Sequence, residues 1–376
     1  MTAGTTTADQ RRTFHTLDGL RGVAALAVVF RHIPENAIGN WTPESYLAVD
    51  LFFLLSGFVL AHAYEARLAR GMTIVDFCAA RLIRLYPLYI LASLITLLIV
   101  FVPAMPGHYH PPGRSLRTIV LALLFVPTID PSQPDTALFP LVGPAWSLFA
   151  ELVVNLVFAA IVTRLDRWRL ALLLVAGEAM LIATALYFQS IDVGYTQTNI
   201  LGGFGRVSFA FFAGVAVNRL WKADALPWLR LPAWAAVAAV ALTFHCVPDG
   251  HETLYDVAMI MVAFPALVLA SARSQPGRWL ARPFALLGGA SYGIYVLQNP
   301  IDQWFETLVP WALVPTYSGT GTLGALAVAA AIVAVALVCD RTYDLPLRRA
   351  LTRRWRNRTI ATGDRPAPAS RGVSGR

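Results

Sequence analysis

The stretch LDGLRGVAALAVVFRH, residues 17–32, opens an apolar window of nearly membrane-spanning length that also holds ionisable side chains. Arg21 and His32 are separated by about 16 Å of helical rise, close to three turns, and therefore lie on one helix face. Asp18 precedes Arg21 by three residues and shares that face. Ionisable groups inside a span usually mark function. A snorkelling arginine and an interfacial histidine would give the same spacing, so both interpretations stay open here.

The amino-acid composition indicates that apolar, membrane-spanning segments occur along the whole chain. Of its 376 residues, 57% are hydrophobic and 14% charged, against about 45–50% and about 25% in soluble domains. A spanning helix needs about 20 mostly apolar residues. We therefore predict an all-α polytopic membrane protein with a bundle of about ten transmembrane helices. The predicted windows are 17–33, 46–64, 85–103, 141–163, 169–189, 200–221, 229–247, 253–272, 284–305 and 321–340.

The basic residues determine the predicted orientation. With ten spans, 25 of the 30 Lys and Arg residues fall on the side that holds both termini, which the positive-inside rule makes cytoplasmic. The apolar run 116–129 must then not cross, and we place it as a re-entrant or interfacial segment in a long outer loop, 104–140. The expected location is the bacterial plasma (inner) membrane, as a multi-pass protein.

Three regions follow from these windows. We predict a cytoplasmic N-terminus over 1–16, a transmembrane domain over 17–340, and a basic cytoplasmic tail over 341–376 that is disordered from about residue 360. The net charge of +8 is spread along the chain rather than gathered on one module, which argues against nucleic acid as a partner. The three cysteines are far apart, so neither a disulfide framework nor a metal site is predicted.

Isolated polar side chains recur in the next windows. VDLFFLLSGF places Asp50 at the outer end of the second window and Ser56 near its middle, where we expect the serine to serve helix packing. ARLIRLYPLY places Arg81 and Arg84 on one face at the cytoplasmic boundary, beside Tyr86. Two fixed guanidinium groups are suited to clamping phosphates, although ordinary boundary arginines have the same pattern.

Further polar residues occur in the later predicted windows. PAWSLFAELVVN sets Ser147 and Glu151 four residues apart on one helix face. Arg206 lies inside the sixth window and needs an anionic partner, for which Glu151 and Asp50 are the candidates. SYGIYVLQNP puts Tyr292, Tyr295 and Asn299 on one face, a stripe that is also typical of interhelical hydrogen bonding.

Five segments in this order resemble the acyltransferase 3 family of integral membrane O-acyltransferases, which includes O-antigen, exopolysaccharide and macrolide acylases. The resemblance covers roughly residues 14–355. It rests on LDGLRG with His32 beyond its arginine, VDLFFLLSGF, RLIRLYP, PAWSLFAE and SYGIYVLQNP. Two positions depart from the family pattern: Gln298 stands where a His is frequent, and Glu151 has no acidic neighbour. The hydrolase-like domain that some members append is absent from the chain, so we expect it to deliver the acyl group itself.

The resemblance implies transfer of an acetyl or other short acyl group from cytoplasmic acyl-CoA, with acetyl-CoA the expected donor. The acceptor would be a hydroxyl of a sugar or glycosylated compound. The family's essential His and Arg map to His32 and Arg21. We assign His32 (as general base), Arg21 and Glu151 to catalysis; Arg81, Arg84 and Tyr86 to donor binding; and Asp18, Asp50, Ser147, Arg206, Tyr292 and Tyr295 to supporting roles.

Some alternatives stay open at this stage. Direct attack by the acceptor and an acyl-His32 intermediate both fit the residues. The rival function is a proton-coupled transporter in which buried Arg, Glu and His side chains form one network. No permanently bound cofactor is expected. The expected partners are acyl-CoA, a carbohydrate acceptor and the lipid bilayer, and a homodimer is left open.

Overall fold

The computed structural model describes residues 13–32, 41–99, 101–102, 115–246, 250–308 and 321–361. Over these residues the chain is helical and contains no strand, which confirms the all-α prediction. The helices are α1 His15–His32, α2 Ala48–Ala69, α3 Ile74–Ile99, α4 Leu116–Leu123, α5 Ala145–Ile161, α6 Arg167–Phe188, α7 Ile200–Lys222, α8 Ala233–His245, α9 Glu252–Ala258, α10 Phe264–Ala272, α11 Arg278–Leu308, α12 Gly321–Cys339 and α13 Leu345–Ala361.

Seven helical stretches of the described chain are long and apolar enough to cross a membrane, and each overlaps a predicted window. The count of ten is not confirmed. The other three windows fall on α1, which carries Asp18, Arg21 and Arg31, on α8, which has 13 residues, and on α11, whose polar stripe lowers its hydropathy. The chain is a multi-pass membrane protein.

Small residues allow two pairs of helices to pack with their backbones in contact. A Cβ on Gly288 of α11 would lie 2.6 Å from the carbonyl oxygen of Asp18 in α1. A Cβ on Gly57 of α2 would overlap the Phe211 carbonyl of α7, and one on Gly214 would overlap the Leu54 carbonyl in return. Close approach of this kind is how membrane helices gain packing energy, because the lipid offers no hydrophobic drive.

The outer segment that the sequence places in loop 104–140 contains α4, whose eight residues are too few to span. The hydroxyl of Tyr86 donates to the Leu123 carbonyl at 2.7 Å, and that of Tyr89 donates to the Ala122 carbonyl at 2.5 Å. Tyr86 lies halfway along α3 and two residues after Arg84, so the end of α4 packs well inside the length of this helix rather than against its outer end. This contact favours the re-entrant over the interfacial alternative. Residues 103–114 of the predicted loop lie outside the described residues.

The predicted basic tail begins as a helix rather than as a separate segment. Asp340–Asp344 form a π-helical turn, after which α13 continues the line of α12 to Ala361. Trp355 of α13 donates its indole N–H to a carboxylate oxygen of Asp76 at 2.9 Å, which holds the helix against the start of α3. The predicted disorder falls mostly on residues 362–376, which lie outside the described residues.

Candidate active site

A cavity of about 190 Å³ opens between five helices of the bundle. Along α2 it extends from Val49 to Leu60, about 16 Å of helical rise. Its remaining walls come from α1, α3, α5 and α11. The polar residues that line it are Arg21, Ser56, Arg81, Arg84, Ser147, Glu151, Ser291, Tyr292 and Tyr295, and the apolar ones are Val49, Phe52, Phe53, Val59, Leu60, Leu85 and Leu148.

Glu151 is the charged centre of this cavity. One of its carboxylate oxygens, Oε1, lies 2.8 Å from Nη2 of Arg81 and accepts the Ser56 hydroxyl at 2.6 Å. The Arg81 and Glu151 side chains are 13% and 14% exposed, so this ion pair is largely shielded from solvent. A carboxylate, a guanidinium and a hydroxyl from three different helices are therefore held together inside the bundle.

Arg84 lies one turn beyond Arg81 on the same wall. Its guanidinium lies 3.6 Å from Asp344, whose side chain is fully buried and also pairs with Arg348 at 2.5 Å. The same guanidinium lies 5.3 Å above the ring of Tyr292, whose hydroxyl donates to the Leu85 carbonyl. Two cations thus share one carboxylate, which leaves this end of the cavity positively charged.

Ser147 and Tyr295 form a second polar contact, with their hydroxyl oxygens 2.8 Å apart. Ser147 also donates to the Pro144 carbonyl at 2.9 Å, one turn before it in the chain. Since Ser147 then has its proton engaged, Tyr295 acts as donor to it. Tyr292 and Tyr295 bond across helices, as the sequence allowed, and both also line the cavity, whereas Asn299 accepts the Gly143 N–H from the turn before α5.

Arg21 lines the cavity from the α1 side, and its nearest carboxylate is Asp18 at 3.5 Å. His32 ends the same helix and is not among the lining residues. The two ends of the cavity can nevertheless be placed relative to α1. Thr42 donates to the Ala27 carbonyl and Arg31 donates to the Pro43 carbonyl, so the Val49 end of α2 lies beside the His32 end of α1.

The His32 imidazole has a defined hydrogen-bonding state. Its Nδ1 lies 2.8 Å from the Val28 carbonyl oxygen. A carbonyl can only accept, so Nδ1 carries the proton. In the neutral ring Nε2 then holds the lone pair, which is the arrangement a general base requires.

Arg206 and Asp50 meet outside this cavity. Asp50 receives two hydrogen bonds from the guanidinium, at 3.1 and 2.6 Å, and both side chains are fully buried. Arg206 also donates to the carbonyls of Val193 and Tyr46 and lies 5.6 Å from the Trp146 ring centroid. Of the two partners that the sequence allowed, Asp50 is the one used, because Glu151 is engaged by Arg81. This pair joins α2 to α7.

Other predicted site residues separate into two groups. Tyr86 does not line the cavity, since its hydroxyl bonds to α4, and neither does Asp18, which lies 3.5 Å from Arg21. Ser56, by contrast, was assigned to packing and lies in the cavity on Glu151. The two small residues of SGF have different roles: Gly57 packs against α7, whereas the Ser56 side chain lies in the cavity. Phe52 and Phe53 also line the cavity, but nothing in the sequence except their apolar character could have predicted this.

Comparison with known proteins places this arrangement in a family. Residues 14–341 match the family model described as an acyltransferase domain, of the acyltransferase 3 type. The chain is 45% identical over 185 residues to "Protein 2 in picA locus" of Rhizobium radiobacter, covering 46% of this chain and 96% of that protein.

Two further relatives cover most of this chain. The exopolysaccharide production protein ExoZ of Rhizobium meliloti is 26% identical over 84% of this chain and 92% of its own length. The peptidoglycan O-acetyltransferase OatA of Listeria monocytogenes is 24% identical over 79% of this chain, and the match spans 50% of that protein. No solved structure matches the chain.

Proposed function

Since this chain belongs to the acyltransferase 3 family and is a membrane O-acyltransferase, we propose that it takes its acyl group from cytoplasmic acyl-CoA, with acetyl-CoA as the first candidate. The proposed acceptor is a hydroxyl of a carbohydrate or glycosylated compound. The names of two relatives, an exopolysaccharide production protein and a peptidoglycan O-acetyltransferase, support a carbohydrate acceptor.

The observation that carries the donor assignment is the distribution of charge along the cavity. Arg81 and Arg84 line the half of the cavity that the arginine distribution makes cytoplasmic, together with Arg21 of α1. Arginine forks bind phosphate oxygens in pairs, and CoA carries its phosphates at one end and its thioester at the other. Apart from these arginines and from Glu151, which is paired with Arg81, the cavity lining is apolar or carries hydroxyl groups, which suits the uncharged pantetheine arm.

The length of the cavity supports the proposal, since it runs towards the His32 end of α1, although His32 itself does not line it. It extends about 16 Å along α2, which equals the rise between Arg21 and His32 along α1. An extended donor with its phosphates near Arg81 and Arg84 would present its thioester towards the His32 end. Glu151 would hold the Ser56 hydroxyl in place and would hold Arg81 until the donor phosphates bind that guanidinium.

The proposed chemical step uses Nε2 of His32 as general base. The acceptor hydroxyl gives its proton to Nε2, and its oxygen forms a bond to the thioester carbonyl carbon. The carbon–sulfur bond breaks as the tetrahedral intermediate collapses, and the proton passes from His32 to the departing CoA thiolate. Acyl ester and free CoA are the products.

A proton-coupled transporter is not favoured. That alternative joins the buried Arg, Glu and His side chains in one network, but Arg206 pairs with Asp50 while Glu151 pairs with Arg81. The family match and the relatives named as acyltransferases also point to chemistry rather than transport.

The test uses the purified full-length protein in nanodiscs with labelled acetyl-CoA and a carbohydrate fraction from a Gram-negative envelope. We expect free CoA to appear with labelled ester on the carbohydrate, and the yield to fall in the His32→Ala variant. A labelled protein band that forms without acceptor would replace direct attack by an acyl-enzyme. Failure of the wild-type protein to bind acetyl-CoA at all would overturn the donor assignment.

A further inference from the structure

A second cleft lies at the arginine-rich end of the bundle. It has a volume of about 750 Å³ and is bounded by the end of α2, the start of α3 and helix α13. Binding sites for small molecules and cofactors commonly measure about 300–1,000 Å³. The cleft is therefore large enough for a ligand of nucleotide size.

Positive charge dominates this cleft. Six arginines line it, five from the three helices and Arg70 from the turn after α2, together with a single carboxylate, Asp76. Asp76 is already engaged, because it accepts the Thr73 hydroxyl and the Trp355 indole N–H, each at 2.9 Å. The arginines are Arg67, Arg70, Arg81, Arg84, Arg348 and Arg356.

The cleft and the candidate active-site cavity share part of their walls. Arg81 and Arg84 line both. A single ligand with an anionic head and a long neutral arm would place the head in the cleft and the arm in the cavity, with these two arginines at the junction. An anionic lipid headgroup matches the charge of the cleft but not its continuation into the bundle, since its acyl chains belong in the surrounding bilayer.

Two ion pairs of Asp344 hold helix α13 against the cleft, where the anionic head of the ligand would bind. The π-helical turn Asp340–Asp344 buries Asp344, which bridges Arg84 at 3.6 Å and Arg348 at 2.5 Å. Trp355 adds an indole ring to the wall, and Tyr64 adds a phenol ring opposite, with the Arg67 guanidinium 4.8 Å from its centroid. Arginine forks and aromatic faces are the groups that bind phosphates and stack on purine bases.

We propose that this cleft binds the 3′-phosphoadenosine diphosphate end of coenzyme A, and that α13 is therefore part of the donor site. The inference rests on the proposed function, because it takes acyl-CoA as the donor. It adds Arg67, Arg356 and Trp355 to the residues that recognise it, none of which stands in the motif segments.

The test measures binding of adenosine 3′,5′-bisphosphate and of CoA to the full-length protein in phosphatidylcholine nanodiscs. Loss of a charge-assisted phosphate contact corresponds to about a 10- to 100-fold loss of affinity. We expect a loss of that size for both ligands in Arg67→Ala and in Arg356→Ala. The matched control is Arg353→Ala, which removes the same charge from α13 at a position that does not line the cleft, and we expect it to stay within about twofold of wild type. Thermal unfolding of each variant identifies those that fail to fold.

The outcomes separate the two proposals. If wild-type protein binds CoA and both cleft variants bind it equally well, the cleft assignment is overturned and the donor assignment stands. If wild-type protein binds no CoA, both are overturned. A third arm uses nanodiscs that contain phosphatidylglycerol: retention of this lipid through Arg67 and Arg356, with no binding of adenosine 3′,5′-bisphosphate, would make the cleft a lipid headgroup site and overturn the proposal.

Discussion

The carboxylate of Glu151 lies 2.8 Å from the guanidinium of Arg81, on a different helix and 70 positions away in sequence. The pair stands inside the cavity, where Ser56 donates to the same oxygen. The Glu151 carboxylate thus occupies Arg81, one of the arginines proposed to bind the donor phosphates. Under the proposed donor assignment, the donor phosphates and Glu151 compete for Arg81.

The first prediction concerns this link. Glu151→Gln keeps the size of the side chain and removes the charge that competes for Arg81. We expect a lower KM for acyl-CoA together with a kcat about 10- to 100-fold lower, because a charge-assisted hydrogen bond contributes about 1.5–3 kcal/mol. Glu65→Gln is the control, since Glu65 also holds two cations, Arg219 and Lys222, away from the cavity. An unchanged kcat in Glu151→Gln would contradict a positioning role for Glu151 in turnover.

The second prediction concerns the donor arginines. We expect Arg81→Ala and Arg84→Ala each to weaken acyl-CoA binding by about 1.5–3 kcal/mol, measured by titration calorimetry. Lysine at either position should recover only part of this, because it lacks the planar fork. Arg169→Ala, which removes an exposed arginine paired with Asp166, is expected to bind as wild type. Equal affinity in all variants would mean that Arg81 and Arg84 do not bind the donor and only reflect the positive-inside rule.

The third prediction separates chemistry from folding at His32. We expect His32→Ala to lower turnover by about 100- to 10,000-fold while acyl-CoA binding is retained. His245→Ala is the matched control, because its Nδ1 also lies against a backbone carbonyl, that of Trp41, at 2.9 Å. Turnover and binding are measured on one preparation. Activity of His32→Ala within a few-fold of wild type would remove His32 from the mechanism, and joint loss of binding would make it structural.

The fourth prediction tests the packing of α1 on α11 with two adjacent glycines. Gly288→Ala would drive a methyl group to 2.6 Å from the Asp18 carbonyl oxygen, whereas a Cβ on Gly289 meets nothing within 4 Å. We expect Gly288→Ala to lower the thermal midpoint of the folded protein. Gly289→Ala should leave it unchanged or raise it, since alanine favours a helix interior by up to about 1 kcal/mol. Equal midpoints would contradict the close approach of the two helices.

The fifth prediction concerns topology. A reporter fused after residue 135 is expected to lie on the outer face, because α4 is too short to cross and ends against the middle of α3. Reporters after residues 70 and 222 are the controls and should report the cytoplasmic face. A cytoplasmic signal at 135 would mean that the run 116–129 crosses the membrane, and would reverse the orientation assigned to every later loop.

The sequence by itself was sufficient for the helical membrane class and for the family, because apolar length and motif order are local properties of the chain. It also placed Ser147 with Glu151, and Arg81 with Arg84, on shared faces, since helical periodicity fixes which side chains point together. All four of these residues line the cavity. Spacing along one helix does not determine which helix stands opposite, so the partners of these residues stayed open.

Tertiary packing decided those partners. Arg206 took Asp50 rather than Glu151 because Gly57 and Gly214 bring α2 and α7 into contact, while α3 presents Arg81 to Glu151. Ser56, which the sequence assigned to helix packing, lies in the cavity because the neighbouring Gly57 makes the close contact with α7. The basic tail became the wall of a cleft, since the buried Asp344 pairs with Arg84 and Arg348. Each of these contacts joins residues far apart in sequence, and a buried charge is stable only beside the partner that the fold delivers to it.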